Sequence, residues 1–266
     1  MSIRRAAVAG LFYPAEPDRL RGAVTHALDV DVPPGEPLPK AIIAPHAGYQ
    51  YSGPTAGVVY ARLRALRGRI ARVVLAGPAH RAFVDAVAVS GADAFATPIG
   101  DVPIDDELRH RVLTHPAVVV DDRAHLGEHS LEVQLPFLLE TLGAFTLLPL
   151  AVGDAHPDDV AEVLDLVWGG DETLVVVSSD LSHYHDYATA QALDARTAAA
   201  IVAGDAMGIA DDDACGARPI RGLLVAARRH DLGVRLLDLR SSGDTAGDRE
   251  RVVGYGAFAL SSRPPS

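Results

Sequence analysis

Four runs in this chain carry apolar residues without a polar break: IIA at 42–44, VVLA at 73–76, LLPLAV at 147–152 and LVVVS at 174–178. A strand with one wet face alternates polar and apolar residues, whereas a strand covered on both faces has no reason to. These runs therefore belong to a sheet held between helices. The intervening segments agree with that. Residues 17–29, 54–66, 105–114, 131–142, 157–168, 187–203 and 219–230 read as helices, with Gly53 as the cap and Pro54 at the first position of the second. Strands are expected at 41–44, 72–76, 86–90, 117–120, 145–151, 173–178, 234–239 and 252–260. Such alternation predicts an α/β fold with a largely parallel sheet.

The chain has 266 residues, 48% of them hydrophobic, enough for a full core. The most linker-like stretch, VDVPPGEPLPK at 30–40, comes too early to divide two domains, so a single domain over 1–266 is expected. The tail SSRPPS is expected to fray. A net charge of −11 argues against a general nucleic-acid surface, which needs clustered Lys and Arg. One cysteine excludes an intramolecular disulfide. The N-terminus does not read as a signal peptide, and no apolar run reaches the roughly 18 residues of a membrane span. A cytoplasmic protein is the default expectation. No Walker A or GxGxxG pattern occurs, so nucleotide binding is not indicated.

Chemistry-bearing residues gather just past the apolar runs. His46 follows AIIAP, His80 follows VVLAGPA, and His183 follows LVVVSSDLS. Parallel strands end on one edge of a sheet, and ligands bind there. The three imidazoles, with Asp180 and the lone Cys215, are thus candidates for one site, and they are the residue types that hold a transition metal. For each an ordinary role competes: a hydrogen-bonded turn histidine at 46 or 80, a small buried hydrophobe at 215. Asp180 and His183 lie three apart, so a turn can bring carboxylate and imidazole together as acid/base or ligand pair. Cys215 precedes a helix start, which lowers a thiol's pKa. In HLGEHSLEVQLPFL at 125–138, Ser130 reads as a helix cap and Glu132 as a first-turn carboxylate favouring the macrodipole. Glu128 and His129 then face the same cleft, and His129 can orient a ligand. His125 reads as a solvated loop residue, and His185, His26, His110, His115, His156 and His230 as surface residues. The serines at 178–182 lack a GxSxG elbow, which disfavours a serine hydrolase.

Seven segments together resemble the Memo family: GLFYPAEP at 10–17, IIAPHAGYQYSG at 42–53, VVLAGPAH at 73–80, GEHSLEVQLPFL at 127–138, VVVSSDLSHYH at 175–185, ACG at 214–216 and GYGAFAL at 254–260. They run the length of the chain in the family's order. In prokaryotes the family is also known as component B of the AmmeMemoRadiSam system. The resemblance implies a three-layer α/β/α fold with a largely parallel or mixed central sheet, similar to class III extradiol dioxygenases. Those are non-haem iron(II) enzymes with two histidines and a carboxylate at the metal. It further implies that His46, His80 and Cys215 are the metal ligands, that Asp180 and His183 line the pocket, and that His183 corresponds to the dioxygenase acid/base histidine. Arg81 departs from the pattern, since some relatives have a second histidine there.

Two imidazoles and a thiolate leave coordination positions open and soften the site toward iron, copper or zinc. The resemblance names iron or copper. The expected function is a metal-dependent, oxygenase-like redox protein acting on a small molecule or modified peptide, with His183, Asp180 and His129 as its pocket chemistry. The rival is a non-catalytic module that binds a peptide or partners of AMMECR and radical SAM type. Metal-assisted hydrolysis through bound water is a third reading.

Overall fold

The unbroken apolar runs are buried on both faces in the structure, a computed structural model that describes residues 2–263. Its strands are β1 (Ile3–Arg4), β2 (Ala41–Ala44), β3 (Arg72–Pro78), β4 (Val87–Val89), β5 (Ala94–Thr97), β6 (Gly100–Pro103), β7 (Val118–Val120), β8 (Thr146–Val152), β9 (Thr173–Ser178), β10 (His183–His185), β11 (Leu232–Ser241) and β12 (Val252–Ser262). Its helices are α1 (Pro17–Ala27), α2 (Tyr49–Arg62), α3 (Asp106–Val112), α4 (Arg123–Leu126), α5 (Leu135–Leu142), α6 (Pro157–Leu166), α7 (Tyr187–Ala203) and α8 (Ala217–Arg229).

Alternate residues of each core strand enter different clusters. Ile42, Ala44, Val73, Leu75, Leu174 and Val176 pack with residues of α1, α2 and α5. Ala41, Ile43, Val74, Ala76, Val175 and Val177 pack with residues of α3, α6, α7 and α8. That division is the three-layer α/β/α architecture, and it explains the missing polar alternation: neither face of these core strands meets water.

The sheet between the helical layers has nine strands among the described residues, ordered β10-β12-β2-β9-β3-β8-β4-β7, with β11 on β12. Strands β2, β9, β3 and β8 form its parallel centre. Antiparallel pairings of β12 with β2 and of β4 with β8 flank that centre, so the sheet is mixed. Since β2, β9 and β3 are adjacent, the segments that leave their C-terminal ends are neighbours. A small second sheet, β1-β5-β6, has no counterpart in the sequence reading, because its strands are only two to four residues long.

Several boundaries differ from expectation. Helix α2 begins at Tyr49, not Pro54, and Pro54 lies inside it. The early start is held by Tyr49 N–H on the Phe12 carbonyl (2.8 Å) and by Ser52 Oγ on the Ala47 carbonyl (2.9 Å). Pro54 leaves the Gln50 carbonyl without its helical donor, which an exposed residue tolerates. Strand β3 runs through Gly77 and Pro78, which pair with Ala151 and Val152, so GP is not a turn. The predicted helix 131–142 is a short 3-10 turn, Glu132–Gln134, followed by α5. Ser130 does not cap it. Its hydroxyl donates to the Pro78 carbonyl at 2.9 Å, at the end of β3. Gly77 permits that approach, because a Cβ there would lie 3.0 Å from Ser130 Oγ and from Leu131 Cδ2. Ser261 and Ser262 complete β12 instead of fraying, while residues 264–266 of the tail lie outside the described residues. Among the described residues no helix is long and apolar enough to cross a membrane.

Candidate metal centre

Three loops leave the ends of β2, β3 and β9 side by side, and a fourth arrives from the start of α8. The first carries His46, which is buried. Asp180, from the β9 loop, fixes that turn by accepting the His46 backbone N–H at 2.7 Å and that of Ala47. Burial raises Asp180 to about 7 against those two hydrogen bonds. The fourth loop brings Cys215, whose sulfur lies 3.2 Å from His46 Nε2. Gly216 makes the contact available, because a Cβ on it would fall 2.6 Å from Ser179 Cβ and 2.9 Å from the Ser178 carbonyl. His80 completes the group: one donor atom from each of His46, His80 and Cys215 lies within 4.8 Å of the other two.

The tautomer of His46 follows from hydrogen-bond accounting. The Ser178 hydroxyl has a single proton, and it donates that proton to the Ser130 carbonyl at 2.6 Å. It must then accept from Gln134 Nε2 (2.8 Å) and from His46 Nδ1 (2.8 Å). His46 therefore carries its proton on Nδ1 and presents the Nε2 lone pair to Cys215. Burial, reinforced by the His129 and His80 rings, keeps His46 well below the ordinary histidine range, hence neutral. His80 is oriented by a carboxylate: Glu128 Oε1 accepts from Nδ1 at 3.0 Å and Oε2 from the backbone N–H at 2.6 Å. Burial opposes the Glu128 charge, yet the His80 hydrogen bond and its other partners hold Glu128 down at about 2. Nδ1-protonated imidazoles backed by a hydroxyl or a carboxylate are what metal sites use to aim Nε2.

Cys215 corrects the sequence reading. Its pKa is raised, not lowered, because burial and the Asp180 carboxylate outweigh the helix start. The sulfur keeps its proton, directs it at His46 Nε2, and accepts the Asp180 N–H at 3.3 Å. A cation that displaces this proton meets two imidazole nitrogens and a thiolate, so the residues fit a thiophilic transition metal. Ser178→Ala removes the acceptor that fixes His46 Nδ1–H. A 10- to 100-fold weaker metal affinity, about the usual cost of losing such a support, is the expected result in a competition titration with a chromophoric chelator. An unchanged affinity would mean that Ser178 does not hold the tautomer.

The remaining predicted residues divide. His129 stacks on His80 (centroids 4.8 Å, 17°) and meets His46 edge-on at 5.3 Å, with Phe12 packed against it at 4.7 Å. Burial, with His80 and Arg81 nearby, lowers it to about 4 despite the Glu128 charge. His183 lies on β10, close enough for His80 to affect its charging, and its pKa is lowered first by burial. Its hydrogen bond goes to the Leu181 backbone, while Asp180 serves the His46 turn. His125 is not solvated: it is 1% exposed on α4, with Nε2 3.1 Å from the Ala88 carbonyl. His185 is exposed, as expected. Ser178 and Gln134 had no assigned role, and Glu128 had only a place at the cleft. The GEH run was the one available signal for Glu128.

The sequence model of the family described as Memo-like protein matches residues 4–259. The chain belongs to the Memo family. A MEMO1 family protein of Methanopyrus kandleri is 36% identical over 286 residues, covering 97% of this chain and 98% of the relative. Memo relatives of Sulfolobus acidocaldarius and Aquifex aeolicus are also 36% identical, covering 95% and 96% of this chain and 97% and 98% of their own. Among solved structures, that of an uncharacterized protein from Escherichia coli K12 superposes with a TM-score of 0.54. At 13% identity, covering 82% of this chain and 98% of that one, it shares the Memo chain's fold.

Proposed function

We propose that this Memo chain is a metal-dependent redox protein with His46, His80 and Cys215 as ligands, acting on a small molecule or modified peptide. The carrying observation is the Cys215 sulfur set against the His46 Nε2 lone pair, with the His80 donor within 4.8 Å. Iron or copper, or zinc without the redox step, suits two imidazoles and a thiolate. Bound there, a redox metal supplies one-electron exchange and has coordination positions left for a small ligand. The chain supplies the rest. Asp180, buried and raised to about 7, holds the His46 turn and can exchange a proton near neutrality. His183 is the acid/base imidazole of this reading, kept neutral by burial. His129, neutral and walled by Phe12, orients the bound molecule.

The test is metal content. Protein purified anaerobically is expected to carry at least about one equivalent of iron or copper by elemental analysis, and a His46→Ala/His80→Ala variant to carry almost none. Equal, substoichiometric metal in both would end the metalloprotein reading. Oxygen uptake with catechol-like compounds then tests turnover.

One observation favours a second reading, a binding module for AMMECR-type or radical SAM partners. Leu11 (80% exposed), Phe83 (86%), Leu126 (74%) and Tyr184 (63%) each lie within three residues of a site residue or of Phe12. A contiguous exposed apolar patch marks contact with another molecule, and these four side chains are the candidates for one beside the site. Pull-down of those partners that survives the His46→Ala/His80→Ala change would support the module.

A further inference from the structure

Glu128 and His129 form, with His80, a second group whose donor atoms lie within 4.8 Å of one another, and it overlaps the first group at His80. Glu128 Oε1 sits 3.0 Å from His80 Nδ1, which leaves Nε2 free to serve the His46–Cys215 group. His129 Nδ1 lies 3.4 Å from the same carboxylate oxygen. It is buried and has no hydrogen-bond partner among the described residues.

We infer that the Memo pocket is built for two cations, the second held by Glu128, His129 and His80 Nδ1, with the His80 imidazole shared between them. This rests on the first cation site being real.

Three features carry it. Donor spacing comes first. Metal bonds of about 2.0–2.2 Å to nitrogen and oxygen put neighbouring donors about 3.0–3.5 Å apart, and the two separations at Glu128 Oε1 are 3.0 and 3.4 Å. The orphaned nitrogen comes second. A buried imidazole nitrogen that finds no partner pays a desolvation cost, and a cation at that point removes it. Charge comes third. Glu128 is a buried carboxylate that pairs with no arginine or lysine side chain among the described residues, the Arg4 guanidinium being spent on Glu132 and on the Glu128 backbone carbonyl. The second cation replaces the proton on His80 Nδ1, which leaves to solvent. The donor sets also differ. Two nitrogens with sulfur suit a soft ion, and two nitrogens with a carboxylate suit a harder one, so the positions can be filled by different metals.

Cobalt(II) separates the outcomes when titrated anaerobically into the full-length, metal-stripped protein. Native mass spectrometry counts the ions, and absorbance reports thiolate ligation. Wild type is expected to take two ions, with thiolate-to-cobalt charge transfer growing only with the first. At saturation the two ions should be exchange-coupled through the shared ring, so the mononuclear EPR signal falls. Glu128→Gln and His129→Phe, the latter keeping the ring stack, should each stop at one ion with the thiolate band intact. Cys215→Ser should lose that band. One ion in wild type, with full thiolate absorption, overturns the second site and leaves the first standing. Two ions that persist in both Glu128→Gln and His129→Phe also overturn it. No bound ion at all overturns both readings.

Discussion

Replacing Glu132 by alanine is expected to cost about 3–5 kcal/mol of folding stability, the range for breaking a buried ion pair from one side. Glu132 is 0% exposed and Arg4, its partner, is 6% exposed. The same carboxylate accepts the Ala7 and Val8 backbone N–H groups at 2.7 and 3.0 Å and the Tyr13 hydroxyl at 2.6 Å. Alanine therefore strips a buried guanidinium of its counter-charge and takes the acceptor from two amides and a phenol. A loss of that size is a large share of the roughly 5–15 kcal/mol that holds an ordinary domain together. The damage should also be directional. Arg4 donates to the His125 and Glu128 carbonyls, and the segment after it ends in Phe12 against His129. Residues 4–13 are thus a strap that brings Phe12 to the candidate site, tied down by one carboxylate. Urea unfolding measures the cost, and limited proteolysis of the variant should cut first within that strap. A change below about 1 kcal/mol would show that Arg4 finds solvent and that the pair is not holding the segment.

That pair also shows where the sequence stops being legible. His46 and His80 could be read because their positions depend only on local facts: each follows an apolar run, and parallel strands share an end. The same reasoning recovered the three layers. Glu132 could be read only as a first-turn carboxylate, because the residue that decides its role is 128 positions away. Glu128 gained its role from His80, 48 positions upstream, and Ser178 from His46, 132 positions away. The thiol of Cys215 was misread for the opposite reason. A local rule, the helix start, was available, but burial and a carboxylate from another strand outweigh it. His125 was missed because α4 is four residues long, too short to show an apolar period. Short strands such as β1 and β5 are hidden likewise, since two to four residues carry no pattern.

His125 has a consequence for acid stability. Burial, with the nearby Arg4 charge, lowers it from 6.5 to about 4 against a hydrogen bond to the Ala88 carbonyl. The unfolded chain binds a proton at this residue below about 6.5, while the folded chain refuses it until about 4. The stability associated with neutral His125 is thus whole above 6.5 and drains as pH falls toward 4. The loss should reach about 2 kcal/mol near pH 5 and about 3 kcal/mol near pH 4. Asp180 works the other way. Its folded pKa of about 7 against an ordinary 3.8 means that the folded state gains relative stability as pH falls through that interval. The total profile therefore hides each term, and a difference between proteins reveals one. Urea titrations of wild type and His125→Leu at about pH 7 and about pH 5 should show the variant losing about 2 kcal/mol less on acidification. Equal losses would mean that His125 reaches water before the fold opens. The position matters to the candidate site, because Arg4 holds the His125 carbonyl and Glu128 donates its own backbone N–H to that same carbonyl at 3.3 Å. A proton forced onto His125 sets a second positive charge beside Arg4, in the turn that delivers Glu128 and His129. Because Arg4 ties the two segments together, acid is expected to loosen the loop of Glu128 and His129 along with the N-terminal strap.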